Sequence, residues 1–138
     1  MNEIVSIYRR AHFNAAHRLF VSQWSDEENS EFFGKCSNPY YHGHNYELEV
    51  RLTGAIDPVT GFLFDMTRLK DLIKIHVEDR FDHKNLNVEC AEFKHRNPTA
   101  ENICVVIYNI LREYIPVDIK LRVKLWETPR NYVSYPVD

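Results

Sequence analysis

The alternation of apolar and polar residues predicts two long strands in the first half of the chain. Between Val5 and His17 most apolar residues fall at odd positions, and from His42 to Leu52 they fall at even positions. Because successive side chains of a strand point to opposite faces, a period of two indicates one buried and one exposed face. His17 has the parity of the buried face of the first strand, and His42 and His44 have that of the second.

The connections after these strands are predicted from their turn residues. The segment from Leu19 to Tyr41 mixes tryptophan, an acidic cluster, glycine and proline, so we expect an irregular loop. Residues 54–61 form a dense turn signal, and Gly61 to Asp65 is expected to return as a short strand that completes a hairpin.

Two helices are predicted further along the chain. Apolar residues recur at helical spacing from Thr67, with Asp65 or Thr67 available as the N-cap, and this helix is expected to end near Phe81. A second apolar stripe follows Thr99 and ends before Pro116, because proline lacks the N–H that a helix interior needs.

Strand-like alternation returns near the end of the sequence, from Ile119 to Trp126, and Tyr132 to Tyr135 is expected to form a final strand. The order β-β-β-α-α-β-β predicts an α+β fold in which two helices cover one face of the sheet. The opposite face and the sheet edge stay open in this arrangement, so we expect other subunits to cover them.

Composition narrows the class of protein. The 138 residues correspond to one domain, residues 1–138, and 44% hydrophobic residues are enough for a core without disulfides. Three widely spaced cysteines are typical of a cytoplasmic protein. We expect neither a signal peptide nor a membrane span, and a net charge of −3 with scattered basic residues disfavours a nucleic-acid partner.

The pair His42 and His44 indicates a metal site. Neutral imidazole is a preferred zinc ligand, and a catalytic zinc usually has three protein ligands with the fourth position open. His17 supplies the third ligand if the two long strands are neighbours in an antiparallel sheet, and Gly43 leaves no side chain between the pair. The alternative is that these histidines are hydrogen-bonded core residues, which suits His17 alone better than it suits the pair.

Three further places in the sequence are candidates for chemistry. Cys36, six residues before His42, can act as a base or nucleophile, or else as a fourth ligand of a closed structural site or a small buried residue. Asp82 can orient the neighbouring His83 for proton transfer, although such a pair is also common in solvent. Glu127 can accept two hydrogen bonds from a planar amino-heterocycle, or simply lie in water at a strand end.

Five motifs in order resemble the family of 6-pyruvoyl-tetrahydropterin synthase and 6-carboxytetrahydropterin synthase over nearly the whole chain. The matching segments are Phe13–Leu19, Cys36 with His42–Tyr46, Phe81–Asn87, Pro98–Asn102 and Glu127–Thr128. Carried over position by position, the resemblance implies zinc ligands His17, His42 and His44, proton-transfer residues Cys36, Asp82 and His83, and pterin-binding residues Glu127 and Thr99.

The resemblance also implies a fold and an assembly. The family has the tunnelling fold, a four-stranded antiparallel sheet with two helices on one face, and its sheets are joined into a barrel by oligomerisation. The implied assembly is a homohexamer, formed as a dimer of trimers.

The implied activity is that of a zinc-dependent lyase acting on 7,8-dihydroneopterin triphosphate. The sequence contains no glycine-rich dinucleotide or phosphate loop, so side-chain cations are expected to bind the triphosphate, with Arg18, Lys35 and Lys84 as candidates. The spacing between Cys36 and His42 favours the pyruvoyl branch, which eliminates triphosphate.

Two alternatives are left open. The run Asn97-Pro98-Thr99 resembles instead the carboxy branch, a carbon-carbon lyase of queuosine and deazapurine synthesis that also releases acetaldehyde. A non-catalytic, zinc-stabilised module that binds a pterin is the more distant alternative.

Overall fold

The computed structural model describes residues 3–138 and contains one five-stranded sheet. Its strands are β1 (Ile4–His17), β2 (His42–Ala55), β3 (Lys84–Asn85), β4 (Lys120–Trp126) and β5 (Tyr132–Tyr135). They lie in the order β3-β1-β2-β4-β5, and all neighbours are antiparallel except β3, which is parallel to β1. The two long strands predicted from alternation are therefore confirmed, and they are direct neighbours.

Helical segments fill the connections between the strands. They are α1 (Asp26–Phe33), α2 (Met66–Ile73), α3 (Asp79–Phe81), α4 (Leu86–Glu89) and α5 (Ala100–Arg112), with 3-10 turns at Gly34–Ser37 and Ala91–Phe93 and a π-helical stretch at Lys74–Glu78. Because α2, the π-helical stretch and α3 follow one another without a break, residues 66–81 form one helix. The predicted helix ending near Phe81 is confirmed, and so is the helix after Thr99.

The prediction of an irregular loop from Leu19 to Tyr41 is wrong for α1. This helix begins with a capping box, in which Ser25 Oγ accepts from the Glu28 N–H at 3.1 Å and Glu28 Oε1 accepts from the Ser25 N–H at 3.2 Å. The serine and glutamate spacing that produces such a box is visible in the sequence. Asn29, which is 3% exposed, then ties the helix back to Val21.

The sheet has the five strands that the sequence order predicts, but one of them is a different segment, and the resemblance implies only four. Residues Gly61 to Asp65 form no strand, because the chain turns tightly here and Asp65 becomes the N-cap of α2, accepting from the Thr67 N–H at 2.9 Å. The fifth strand is instead β3, two residues that pair with Ala15 and Ala16. The four-stranded antiparallel sheet implied by the resemblance is thus extended by a short parallel strand at its edge.

The core lies between one face of the sheet and the two main helices. Phe13 of β1 stacks on Tyr46 of β2 with ring centroids 5.0 Å apart, and both rings are fully buried. Ile103 and Ile107 of α5 are buried on the same side. On the opposite face of the sheet, side chains such as Tyr8 are more than half exposed, so that face has no cover within the described chain.

None of the helices within residues 3–138 combines the length and the apolar character required to cross a bilayer.

Candidate metal centre

Antiparallel pairing of β1 with β2 brings the three predicted histidines together. His17 is directly opposite His42 in the register, and Ala15 is opposite His44. Since all three histidines have the parity of the core face, their rings project to the same side, and their ligand nitrogens lie within 4.8 Å of one another. Three nitrogens at this spacing form a group that can bind one metal ion.

The hydrogen bonds of the cluster leave its Nε2 atoms free for a cation. His17 Nδ1 lies 2.8 Å from the carbonyl oxygen of Pro98, which can only accept, so the proton is on Nδ1 and the lone pair on Nε2. Nε2 of His17, Nε2 of His44 and both ring nitrogens of His42 are buried and have no hydrogen-bond partner within the described chain. Buried nitrogens without partners are costly, and a metal ion bound by one nitrogen of each ring would offset that cost.

Burial lowers the pKa of two of these imidazoles, His17 and His42. It lowers the pKa of His17 to about 4, against the opposing effect of the Pro98 carbonyl, and the neighbouring histidines lower it further. Burial, followed by the proximity of His44, lowers the pKa of His42. A neutral ring is the form that binds a metal, so the site favours ligation at neutral pH.

Gly43 does not have the predicted role of removing a side chain from between the two imidazoles. It lies on the opposite face of β2 from both imidazoles, and a Cβ there would meet only the Ala15 carbonyl oxygen at 3.6 Å, an ordinary contact. Alternation along the strand already separates His42 from His44, so the glycine does not relieve crowding between them.

Cys36 lies beside the cluster and outside it. Its 3-10 turn, Gly34–Ser37, is tied to the residues after β1 by a hydrogen bond from Leu19 N–H to the Cys36 carbonyl oxygen, at 2.8 Å. The thiol is partly exposed and unbonded to another cysteine. Within residues 3–138 neither a thiol nor a carboxylate joins the three nitrogens, so the four-ligand closed site is not formed.

Glu127 and Thr99 each lie beside a residue that contacts His17, namely Tyr46 and Pro98. The pairing of Trp126 with Glu47 places Glu127 next to Tyr46, on the face that carries the histidines. In agreement, burial and then the charges of Glu127 and Cys36 raise the pKa of Tyr46. Thr99 follows Pro98, and its hydroxyl accepts from the Asn102 N–H at 3.1 Å as the N-cap of α5.

Asp82 and His83 form a pair, although adjacent residues rarely do. His83 Nδ1 lies 2.9 Å from Asp82 Oδ2, and the two side chains are 82% and 40% exposed. Asp82 Oδ1 accepts from the Asn14 N–H at 2.8 Å, and this bond, with a smaller effect of His83, lowers the pKa of Asp82. The His83 N–H donates to the Asn14 carbonyl oxygen at 2.6 Å, which fixes the pair to the edge of β1.

The Asp82–His83 pair and the Cys36 turn are hydrogen-bonded at different points along β1 and the residues that follow it. Asp82 is bonded at Asn14, whereas the Cys36 segment is bonded at Leu19, five residues later. An extended chain spans up to about 16 Å over that length. Within residues 3–138 no hydrogen bond or ion pair joins Cys36 to Asp82 or His83.

Sequence reasoning missed two contributors to the site. The Pro98 carbonyl fixes the tautomer of His17, and a backbone acceptor leaves no signal in a sequence. Arg18 reaches the cysteine turn, with its Nε donating to the Ser37 carbonyl oxygen at 2.7 Å. The sequence indicates Arg18 only as a phosphate ligand, because nothing in the spacing shows that these segments touch.

Comparisons with known proteins agree with this geometry. A family model described as PTPS, 6-pyruvoyl tetrahydropterin synthase, matches residues 6–137. The 6-pyruvoyl tetrahydrobiopterin synthase of Pongo abelii is 43% identical over 129 residues, which cover 94% of this chain and 89% of the relative. The structure of Caenorhabditis elegans 6-pyruvoyl tetrahydropterin synthase is 37% identical, with a TM-score of 0.92 over 99% of this chain and 98% of the other. A 6-carboxy-5,6,7,8-tetrahydropterin synthase of Rickettsia conorii is more distant, at 28% over 149 residues that cover 95% of this chain and 99% of the relative.

Proposed function

The chain belongs to the 6-pyruvoyl tetrahydropterin synthase family, and from that membership we propose that it is a lyase converting 7,8-dihydroneopterin triphosphate to 6-pyruvoyl-tetrahydropterin with elimination of triphosphate. The observation that carries the proposal is the cluster of three imidazoles, among them the fully buried His17, whose Nε2 atoms lack hydrogen-bond partners within the described chain. Such a cluster has the ligand set of a catalytic zinc site with an open position.

The proposed ligands of a zinc ion (Zn2+) are His17, His42 and His44. A zinc ion bound there would act as a Lewis acid toward the hydroxyl groups of the substrate side chain. The Pro98 carbonyl holds the ring of His17 with its Nε2 toward the cluster, so the ligand is oriented before binding. Chelation should remove zinc and activity while the domain stays folded, because the core is built from apolar residues elsewhere.

The other site residues have two proposed roles, which are pterin binding and proton transfer. Glu127, beside Tyr46, is proposed to accept hydrogen bonds from the amino-pyrimidine edge of the pterin, and Thr99, beside Pro98, is proposed to lie near the ring. Cys36 is proposed to take the proton from the side-chain carbon, and Asp82 orients His83 to relay it. The two ketones form by internal rearrangement, so no external hydride carrier is required.

We further propose that the active enzyme is a homohexamer, built as a dimer of trimers. The open sheet face gives a reason for association, and the lack of any direct bond between Asp82 and Cys36 within the described chain gives a second. If proton transfer needs both groups, the exposed pair of one subunit must serve the cysteine of another.

Mixed oligomers test this arrangement. Cys36→Ala and Asp82→Asn are each expected to be inactive, and refolding them together should restore about a quarter of the activity by random pairing. The matched control combines Cys36→Ala with His44→Ala, two residues of one subunit's pocket, and should restore none. Restoration in the control, or none in the first mixture, would contradict a shared site.

Product analysis tests the reaction itself. Purified protein is incubated with 7,8-dihydroneopterin triphosphate, and the products are separated by chromatography. Pyruvoyl-tetrahydropterin with triphosphate supports the proposal, whereas acetaldehyde would identify the carboxy branch. The greater identity to the Pongo abelii synthase than to the Rickettsia conorii carboxy enzyme favours the first outcome. Binding without turnover would indicate the non-catalytic module.

A further inference from the structure

Arg18, the residue after His17, joins two parts of the site. Its Nε donates to the Ser37 carbonyl oxygen at 2.7 Å, next to the bond from Leu19 N–H to the Cys36 carbonyl oxygen at 2.8 Å. These two bonds fasten the cysteine turn to the chain that leaves β1. The strand that carries one histidine and the segment that carries the thiol are therefore linked through Arg18.

The position of the Arg18 side chain is itself fixed by its surroundings. The Arg18 N–H donates to Asn87 Oδ1 at 2.8 Å, and its carbonyl oxygen accepts from Asn87 Nδ2 at 2.9 Å. The guanidinium carbon lies 4.1 Å from the centre of the Phe20 ring, a cation-π distance. The backbone of Arg18, its Nε and one face of its guanidinium are thus all held in place, so the side chain is pre-organised for a ligand.

The guanidinium faces a cleft of about 440 Å3 between the cysteine turn and α1. The cleft is lined by Arg18, Asp26, Ser30, Gly34, Lys35, Ser37, Asn38 and Pro39. It therefore holds two cations and one carboxylate. Within the described chain, neither the terminal nitrogens of Arg18 nor Nζ of Lys35 takes part in a hydrogen bond or ion pair, so these donors are available to an anion.

We propose that Arg18 binds the triphosphate of the substrate with its terminal nitrogens while its Nε holds the Cys36 turn, so that phosphate binding and the placement of the thiol depend on one side chain. The inference rests on the proposed function and identifies the phosphate subsite within it. The planar guanidinium can hold the turn and bind phosphate at once, because its Nε and terminal nitrogens donate in different directions. A lysine has only one donor nitrogen.

A second basic cleft, which Pro98 helps to line, is the competing location. It measures about 340 Å3 and contains Lys94, His95 and Arg96. The Nε of Arg96 already donates to Asn102 Oδ1 at 3.1 Å, and that cleft does not include the cysteine turn. Lys84 lines neither cleft. Arg96→Gln is therefore the matched control for Arg18→Gln.

The first test measures binding of inorganic triphosphate to the zinc-loaded protein by titration calorimetry, with zinc content measured before and after. Arg18→Gln should weaken binding about 10- to 100-fold, since it removes charge-assisted hydrogen bonds. Arg96→Gln should stay within about twofold of the parent protein. Unchanged binding in Arg18→Gln, or weakening confined to Arg96→Gln, would overturn the assignment.

The second test reports on the thiol, which a simple phosphate ligand would not affect. The alkylation rate of Cys36 by iodoacetamide is measured with and without triphosphate. Triphosphate should slow alkylation in the parent protein and in Arg96→Gln. In Arg18→Gln the rate should be higher from the start and insensitive to triphosphate.

Arg18→Lys is the control for a general loss of structure, because it keeps the positive charge at this position. It should retain part of the triphosphate affinity while alkylating as fast as Arg18→Gln. If both Arg18 variants alkylate at the parent rate, the link between phosphate and thiol is wrong. Neither test requires turnover, so an inactive protein would refute the proposed function while leaving this inference open to measurement.

Discussion

Asn29 is a buried side chain that ties together the segment leading to Cys36. Its Oδ1 accepts from the Val21 N–H at 2.7 Å, and its Nδ2 donates to the carbonyl oxygens of Val21 at 3.0 Å and Ser25 at 3.1 Å. With only 3% of its surface exposed, water cannot replace these bonds in the folded chain. We therefore expect Asn29→Ala to loosen residues 19–37 as a unit.

The size of the effect follows from these contacts. Three hydrogen bonds contribute about 3 kcal/mol together, at about 1 kcal/mol each. Alanine returns about 0.6 kcal/mol as the better helix former within α1. The net cost of about 2.4 kcal/mol falls on the docking of this segment and corresponds to an opening equilibrium about 50-fold larger.

Amide hydrogen exchange of Leu19 measures that opening directly, because its N–H donates to the Cys36 carbonyl oxygen. In Asn29→Ala, Leu19 should exchange up to about 50-fold faster under conditions where closing outpaces exchange. Asn109→Ala is the control, since Asn109 is also a helical asparagine but lies exposed on α5. Equal exchange of Leu19 in both variants would refute the view that Asn29 holds the cysteine segment.

Three further outcomes are expected. Because burial lowers the pKa of His17 from 6.5 to about 4, the unfolded chain takes up its proton first on acidification. Metal-free protein should lose about 3 kcal/mol of stability between about pH 6.5 and pH 4, with little change above that range. Urea unfolding of His17→Gln should show a flatter pH dependence in this window, and equal slopes would argue against the shift. Burial raises the pKa of Cys90 to about 11 and that of Cys104 to about 12, so iodoacetamide at mildly alkaline pH should modify Cys36 alone in the folded protein, as mass spectrometry would show. Thr99→Ala should lower stability by about 1 kcal/mol through loss of the N-cap, whereas Thr99→Ser should not, and a similar loss in both would exclude capping as the cause.

Much of the fold could be predicted because its signals are local. Parity along β1 and β2 predicted which face each histidine takes, and helical spacing predicted the helix over residues 66–81 and α5. The failures have physical reasons. The α1 helix was not predicted because its sequence is short and mostly polar and shows no apolar stripe, although its capping box was present at Ser25 and Glu28. The two-residue β3 is formed by long-range pairing and has no pattern of its own.

The histidine cluster was within reach of sequence reasoning, but its completion was not. Parity and one assumption about strand neighbours were enough to bring His17 to His42 and His44. The hydrogen bond from His17 to Pro98, 81 residues away, could not be inferred, because a backbone carbonyl has no residue-specific signal. The same is true of the bond between Arg18 and the Ser37 carbonyl.

The amino-acid sequence by itself determined which side chains share a face, since alternation along a strand is imposed by backbone geometry. Only the tertiary structure decided which of those side chains meet, because the register of β1 on β2 and the path of the loops depend on the packing of the whole core. It brought three imidazoles together, and it attached Cys36 and Asp82 to different points along one strand and its continuation. These different attachment points, which no spacing in the sequence shows, are one reason for proposing that a second subunit completes the site.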